Sequence, residues 1–134
     1  MLFLARSLFV VLLLVVGLVV KRNGIPYVYE SSLEEFVVDV DRKCVKNGAM
    51  LSPLKERLYD HYGIVCWRPL IVPDRVEGEF EAIMEDIIKQ NWNKYYDGSK
   101  LEQVKFILNL TKFENDEKFF CSELVAYCYQ KLGL

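Results

Sequence analysis

Cys121 lies in FFCSELVAYCYQKLGL, residues 119–134, where Leu124, Val125, Cys128 and Leu132 recur at helical spacing. The pattern predicts a terminal amphipathic helix that opens at the cysteine. A thiol at a helix start is placed to become a nucleophile. First-turn N–H groups and the helix dipole favour the thiolate, so a cysteine there can titrate below the free value of about 8.5. The chemistry would be acyl transfer on an amide or thioester carbonyl. A base removes the thiol proton, sulfur attacks, and an N–H at the helix start helps hold the oxyanion. The competing reading is packing. Leu124, Val125 and Cys128 share the face of Cys121, and buried thiols are commonly inert.

His61 is the one histidine in the chain, hence the one imidazole able to act as a base near neutral pH. It stands between Asp60 and Tyr62 in an expected helix-to-strand connection, where an exposed loop histidine is the ordinary reading. Glu30 ends an expected strand in YVYESS, where a carboxylate can orient an imidazole. Its ordinary reading is an exposed strand-end acid. Cys44, Cys66 and Cys128 have weaker claims to reactivity, because none opens a helix. Trp92, Tyr95 and Tyr96 could line a groove, but aromatics near a helix end more often close off a core. Tyr127 and Tyr129 read as packing residues. One histidine and scattered carboxylates make no zinc or calcium spacing, so neither metal nor cofactor is expected.

A chain of 134 residues suits one domain with one core. The formal charge is −2 and no basic run exceeds Lys21-Arg22, so nucleic acid is not an expected partner. The four cysteines match no CxxC zinc or redox spacing. Cys121 and Cys128 would lie roughly 10.5 Å apart along one helix, too far to bridge, and reduced thiols are expected.

Residues 1–20 are apolar except for Arg6, Ser7 and Gly17, and Lys21-Arg22 closes the run. The length suits a membrane helix or signal-anchor, which takes about 20 residues. No small-x-small site precedes Lys21, which argues against a cleaved signal peptide. The flanking charges favour a cytoplasmic domain at a membrane, in keeping with reduced cysteines. A strand reading competes for the same residues. Asn23-Gly24 is a strong hairpin signal between the β-branched stretch 15–22 and Ile25-Pro26-Tyr27-Val28-Tyr29. If residues 15–22 form the first strand, at most about 14 residues remain for a helix, too few to span. Two readings stay open: a short apolar helix running into a strand, or a true anchor.

Farther along, residues 36–40 (FVVDV) read as a short strand and Asn47-Gly48 as a turn. Ser52-Pro53 reads as a helix start, with serine as cap, leading through about Tyr59. GIVCWRPL, residues 63–70, reads as a strand confined by Pro69 and Pro73. Phe80, Ile83, Met84, Ile87 and Ile88 form an apolar stripe that predicts a helix over residues 77–91. Leu101, Val104, Ile107, Leu108 and Phe113 suggest another helix. Strands come first and helices later, which gives the α+β class.

Four segments in order carry a resemblance: VVGLVV at residues 15–20, YVYES at 27–31, Tyr96-Asp97, and FFCSELV at 119–125. The chain resembles the circularly permuted papain-like cysteine amidases, which include YiiX-like bacterial and poxviral members. There a strand H-V-G-I-V-V comes first, and a hairpin Y-V-x-E-[AS] with a strand-end glutamate follows. A Y-D pair comes next, and F-x-C-S-E-L-V opens the terminal helix. The match covers about residue 15 to the end, and its cysteine motif is the most specific part. The resemblance implies Cys121 as nucleophile and Glu30 as the third, polar residue. The histidine should stand at Val15, and valine accepts no proton, so the implied dyad lacks its base. The family usually has a further strand and loop before the histidine, where this chain has its apolar leader. HYGIV at residues 61–65 imitates H-x-G-I-V, but taking it as the histidine strand loses the hairpin and glutamate in register.

The expectation is therefore an α+β fold of the permuted papain-like type, a small antiparallel sheet followed by helices. An apolar segment over residues 1–14 precedes the domain over residues 15–134, membrane-associated and facing the cytoplasm. It would hydrolyse a peptide, lipid amide or thioester through Cys121, with Glu30 and His61 as candidate partners and with weak or no turnover. The alternatives are a catalytically inactive binding module that keeps the cleft, and a membrane-anchored interaction protein in which Cys121 is core.

Overall fold

Asn23 and Gly24 have φ of 51° and 79°, the positive values that a two-residue turn between twisted strands requires. Around this turn Arg22 pairs with Ile25 and the ladder runs on to Gly17 and Glu30. The computed structural model describes residues 2–6, 13–32, 37–45, 47–59, 64–72, 78–96, 118–119 and 121–134. In chain order the elements are β1 (Leu2–Arg6), β2 (Leu13–Arg22), β3 (Ile25–Ser32), β4 (Gly48–Pro53), α1 (Leu54–Tyr59) and β5 (Ile64–Trp67). They continue with α2 (Glu79–Gln90), β6 (Tyr95–Tyr96), β7 (Lys118–Phe119) and α3 (Cys121–Leu132). Among the described residues five strands form one sheet in the order β4-β3-β2-β1-β5, every neighbour antiparallel. β6 and β7 form a short parallel pair. The class is α+β.

The leader is not helical where it is described. Residues 2–6 and 13–22 are strands that pair with each other, and β1 also pairs with β5. β-branched valines favour a pleated backbone, and the ladders satisfy the polar groups that an isolated apolar helix would satisfy internally. No helix among the described residues is long and apolar enough to cross a membrane.

Two further expectations are corrected. Residues 37–40 form no strand beyond a single bridge between Val38 and Val45. The buried Asp39 carboxylate instead accepts the N–H groups of Asp41 and Arg42 at 3.0 Å and of Leu51 at 2.9 Å, closing an Asx-type turn. Ser52 belongs to β4, an unanticipated strand, and α1 starts after it at Leu54. Its hydroxyl is buried with no hydrogen-bond partner among the described residues, so it caps nothing. Phe36, Asp97 and the helix expected over residues 101–113 lie outside the described residues.

The pleat divides the side chains between two faces. Val16, Leu18 and Val20 of β2, Tyr29 of β3 and Leu51 of β4 meet α2 and α3 in the main core. The apolar stripes supply the other side: Met84, Ile87 and Ile88 from α2, and Leu124, Val125, Cys128 and Leu132 from α3. Tyr127 and Tyr129 pack at its margin. On the opposite face Val28 and Val19 meet Leu54 of α1.

Candidate functional site

Two rungs of β-ladder fix where α3 begins. The Ala49 N–H donates to the Lys94 carbonyl at 3.2 Å, so β6 starts at the end of the sheet where Ala49 pairs with Ser31. Tyr96 of β6 pairs with Phe119 of β7, and the chain then reaches α3 at Cys121. The helix crosses β3 and β2 to Leu132, which lies beside Leu18, Val20 and Lys21 near the hairpin. Cys121 thus stands at the Ser31 end of the sheet, and roughly 16 Å of helix separates it from Leu132.

The two thiols of α3 share a stripe but not an environment. Cys121 is half-buried at the first position of the helix. Cys128 is fully buried against the sheet, and burial pushes its thiol up to about 12. Cys44 and Cys66 are exposed, and none of the four forms a disulfide.

Glu30 is not the exposed strand-end acid of the ordinary reading. It pairs with Gly17 on one side and Met50 on the other, and its side chain is wholly buried. Because Tyr29 faces α3, the pleat turns Glu30 toward α1. There Arg57 donates from Nε to Oε1 at 2.6 Å and from Nη2 to Oε2 at 3.5 Å. Gly17 makes room for this arrangement. A Cβ at position 17 would stand 2.9 Å from Val28 Cγ1 and 3.2 Å from Glu30 Cβ. The structure brings Glu30 together with Arg57 on one face, while the cysteine helix lies on the other. His61 lies outside the described residues. Val15 stands in β2, paired with Leu4 of β1.

Sequence reasoning missed Arg57 and Asp39. Arg57 follows Leu54 by three residues, so the helical period alone places it on the face that Leu54 buries. Asp39 also holds Arg42, whose Nη1 donates to Oδ2 at 3.1 Å and whose guanidinium lies 4.2 Å from the Trp92 ring centroid. Trp92 is half-exposed beneath that cation rather than part of an open aromatic groove. Nearby, Arg22 joins the hairpin to α2 by bonding both Asp41 and Glu85. These bonds, Asp41's first, raise the Arg22 pKa, and the Arg22 hydrogen bond in turn holds the Asp41 carboxyl below its ordinary range.

Compared with protein-family models, curated proteins and solved structures, the chain matches none.

Proposed function

We propose that the chain is a papain-like cysteine hydrolase scaffold for amide or thioester bonds, with Cys121 as nucleophile and with turnover impaired by valine at position 15. The observation that carries this reading is the contrast within α3. Cys121 is half-buried at the helix start, while Cys128 is sealed under the same helix. In the reaction a base takes the thiol proton and the thiolate attacks the carbonyl carbon. The resulting oxyanion collapses, the C–N or C–S bond breaks, and the leaving group departs with the proton. Water then hydrolyses the acyl-enzyme. The first-turn N–H groups of α3 supply charge stabilisation to both thiolate and oxyanion. With its carboxylate committed to Arg57, Glu30 supports the sheet in this reading, and His61 is the remaining candidate base.

The test is the pH dependence of iodoacetamide alkylation at Cys121, resolved by mass spectrometry, for the wild type, His61→Ala and Val15→His. A thiolate well below about 8.5 that rises on losing His61 identifies a rebuilt dyad. A low value that ignores His61 but falls further in Val15→His, with new thioesterase activity, identifies a nucleophile lacking its base. Values at or above the free one in all three proteins refute the hydrolase reading.

The Glu30–Arg57 pair favours a second reading, a catalytically inactive binding module, since it occupies the carboxylate that the resemblance assigns to catalysis. Membrane association through residues 1–20 belongs to this reading and is tested by liposome flotation. An acylated peptide that binds without being turned over, even by Val15→His, supports it.

A further inference from the structure

α2 ends without a glycine. Residues 91–94 read Asn-Trp-Asn-Lys, and Asn91 closes the helix with φ of −96° and ψ of 15°, outside the left-handed region that a terminal glycine would supply. Asn91 is 2% exposed, and its side chain takes part in the closure. Its Nδ2 donates to the Ile87 carbonyl at 2.8 Å, and its backbone N–H donates to the same oxygen at 3.0 Å. One residue thus engages both lone pairs of that carbonyl, which holds the orientation in which the chain leaves the helix.

From there a series of backbone hydrogen bonds runs to the start of α3. The Lys94 N–H donates to the Asn91 carbonyl at 3.1 Å, closing a four-residue turn. The Lys94 carbonyl then accepts the Ala49 N–H at 3.2 Å, on the side of β4 away from β3. Farther along the same side, the Leu51 N–H goes instead to Asp39 Oδ2. β6 follows Lys94 at once and pairs Tyr96 with Phe119 of β7, and Phe119 stands two positions before Cys121. Leu124, Val125, Cys128 and Leu132 fix the body of α3 against the sheet. Its first residue is only half-buried, so its position depends on β7 as well.

We infer that Asn91 is a positioning residue for the Cys121 thiol. It sets the exit of α2 so that Lys94 meets Ala49, and β6 then carries β7 and the first turn of α3 to the Ser31 end of the sheet. The inference rests on the hydrolase reading for the use to which the thiol is put, and on the hydrogen bonds for its placement. An amide suits this task, because it donates to the Ile87 carbonyl without bringing a charge into a buried position. Alanine removes the donor. Serine keeps one, since a serine hydroxyl in a helix bonds the carbonyl four residues back, which from position 91 is that of Ile87.

Amide exchange by NMR and iodoacetamide alkylation, both on the full chain, test it in Asn91→Ala and Asn91→Ser. Asn91→Gly, which also lacks the amide but tolerates any helix end, takes the place of alanine if that variant does not fold. Asn91→Ala should speed exchange at Ala49 about tenfold, while Leu51, held by Asp39, exchanges as in the wild type. The plateau rate of Cys121 alkylation at high pH should rise roughly fivefold as the half-buried thiol is freed, with Cys128 still unreactive under the same helix. Asn91→Ser should return both readings toward the wild type. Equal acceleration at Ala49 and Leu51, an unchanged Cys121 plateau, or serine behaving as alanine overturns the proposal. These comparisons use exchange and plateau rates, so they read the same whether or not Cys121 is an active nucleophile, and the wild-type alkylation midpoint judges the hydrolase reading separately.

Discussion

Arg57 Nε donates to Glu30 Oε1 at 2.6 Å, and both side chains are sealed from solvent between β3 and α1. A buried pair of this kind contributes little net stability against an apolar replacement, yet breaking it on one side is costly. Arg57→Met should therefore lose about 3–5 kcal/mol in urea unfolding, because the buried Glu30 carboxylate loses the guanidinium that faces it. The double variant Glu30→Met/Arg57→Met should recover most of that loss. If single and double variants are equally destabilised, the two charges are not coupled.

Gly17 is the second element of the same arrangement. Gly17→Ala places a methyl against Val28 Cγ1 and the Tyr29 carbonyl oxygen, the latter at 3.2 Å and part of the backbone. The expected cost is about 1–3 kcal/mol, as for other overpacked core sites. Adding Val28→Ala should return less than the sum of the two single losses, and thermal melts of all three variants would measure the coupling.

Acid should weaken the junction between the hairpin and the turn at Asp39. The Arg22 hydrogen bond lowers the Asp41 pKa in the folded state. A depressed folded value means the contribution is fully present above the unfolded value of about 3.9 and is lost as pH falls through the folded one. Wild type and Asp41→Asn should differ in stability at neutral pH and converge on acidification. Added salt should narrow the neutral difference, since Asp41 is partly exposed.

Cys128 contributes on the alkaline side, as does buried Tyr29, whose phenol burial also raises. The folded pKa of Cys128 is raised by burial to about 12, so its contribution is complete below the unfolded thiol value of about 8.5 and is lost as pH climbs toward the folded one. Cys128→Ala should be less stable at neutral pH but should flatten the decline above about pH 9. In native alkylation Cys44 and Cys66 should react first and Cys128 only after unfolding, which peptide mapping would resolve.

The hairpin was legible because Asn23-Gly24 admits few backbone conformations, and α2 and α3 because their apolar periods are long. The leader was ambiguous for a physical reason: a run of valines and leucines satisfies a membrane helix and a central strand equally well. Only pairing with β3 and β5 separates the two, and partners are not written in a local window. β4 was hidden by Ser52-Pro53, which imitates a helix start but sits at the end of a strand. Cys121 stands at a helix start as its motif indicated, whereas the environment of Glu30 depended on which face of the pleat α1 would cover. Strand alternation defines two faces but does not say which neighbour fills each one.

The parallel pairing of β6 with β7 fixes the start of α3 through two residue pairs, Tyr95 with Lys118 and Tyr96 with Phe119. The length of chain between them does not enter that geometry. The placement of Cys121 is therefore written in those two residue pairs and not in the number of residues that separates them.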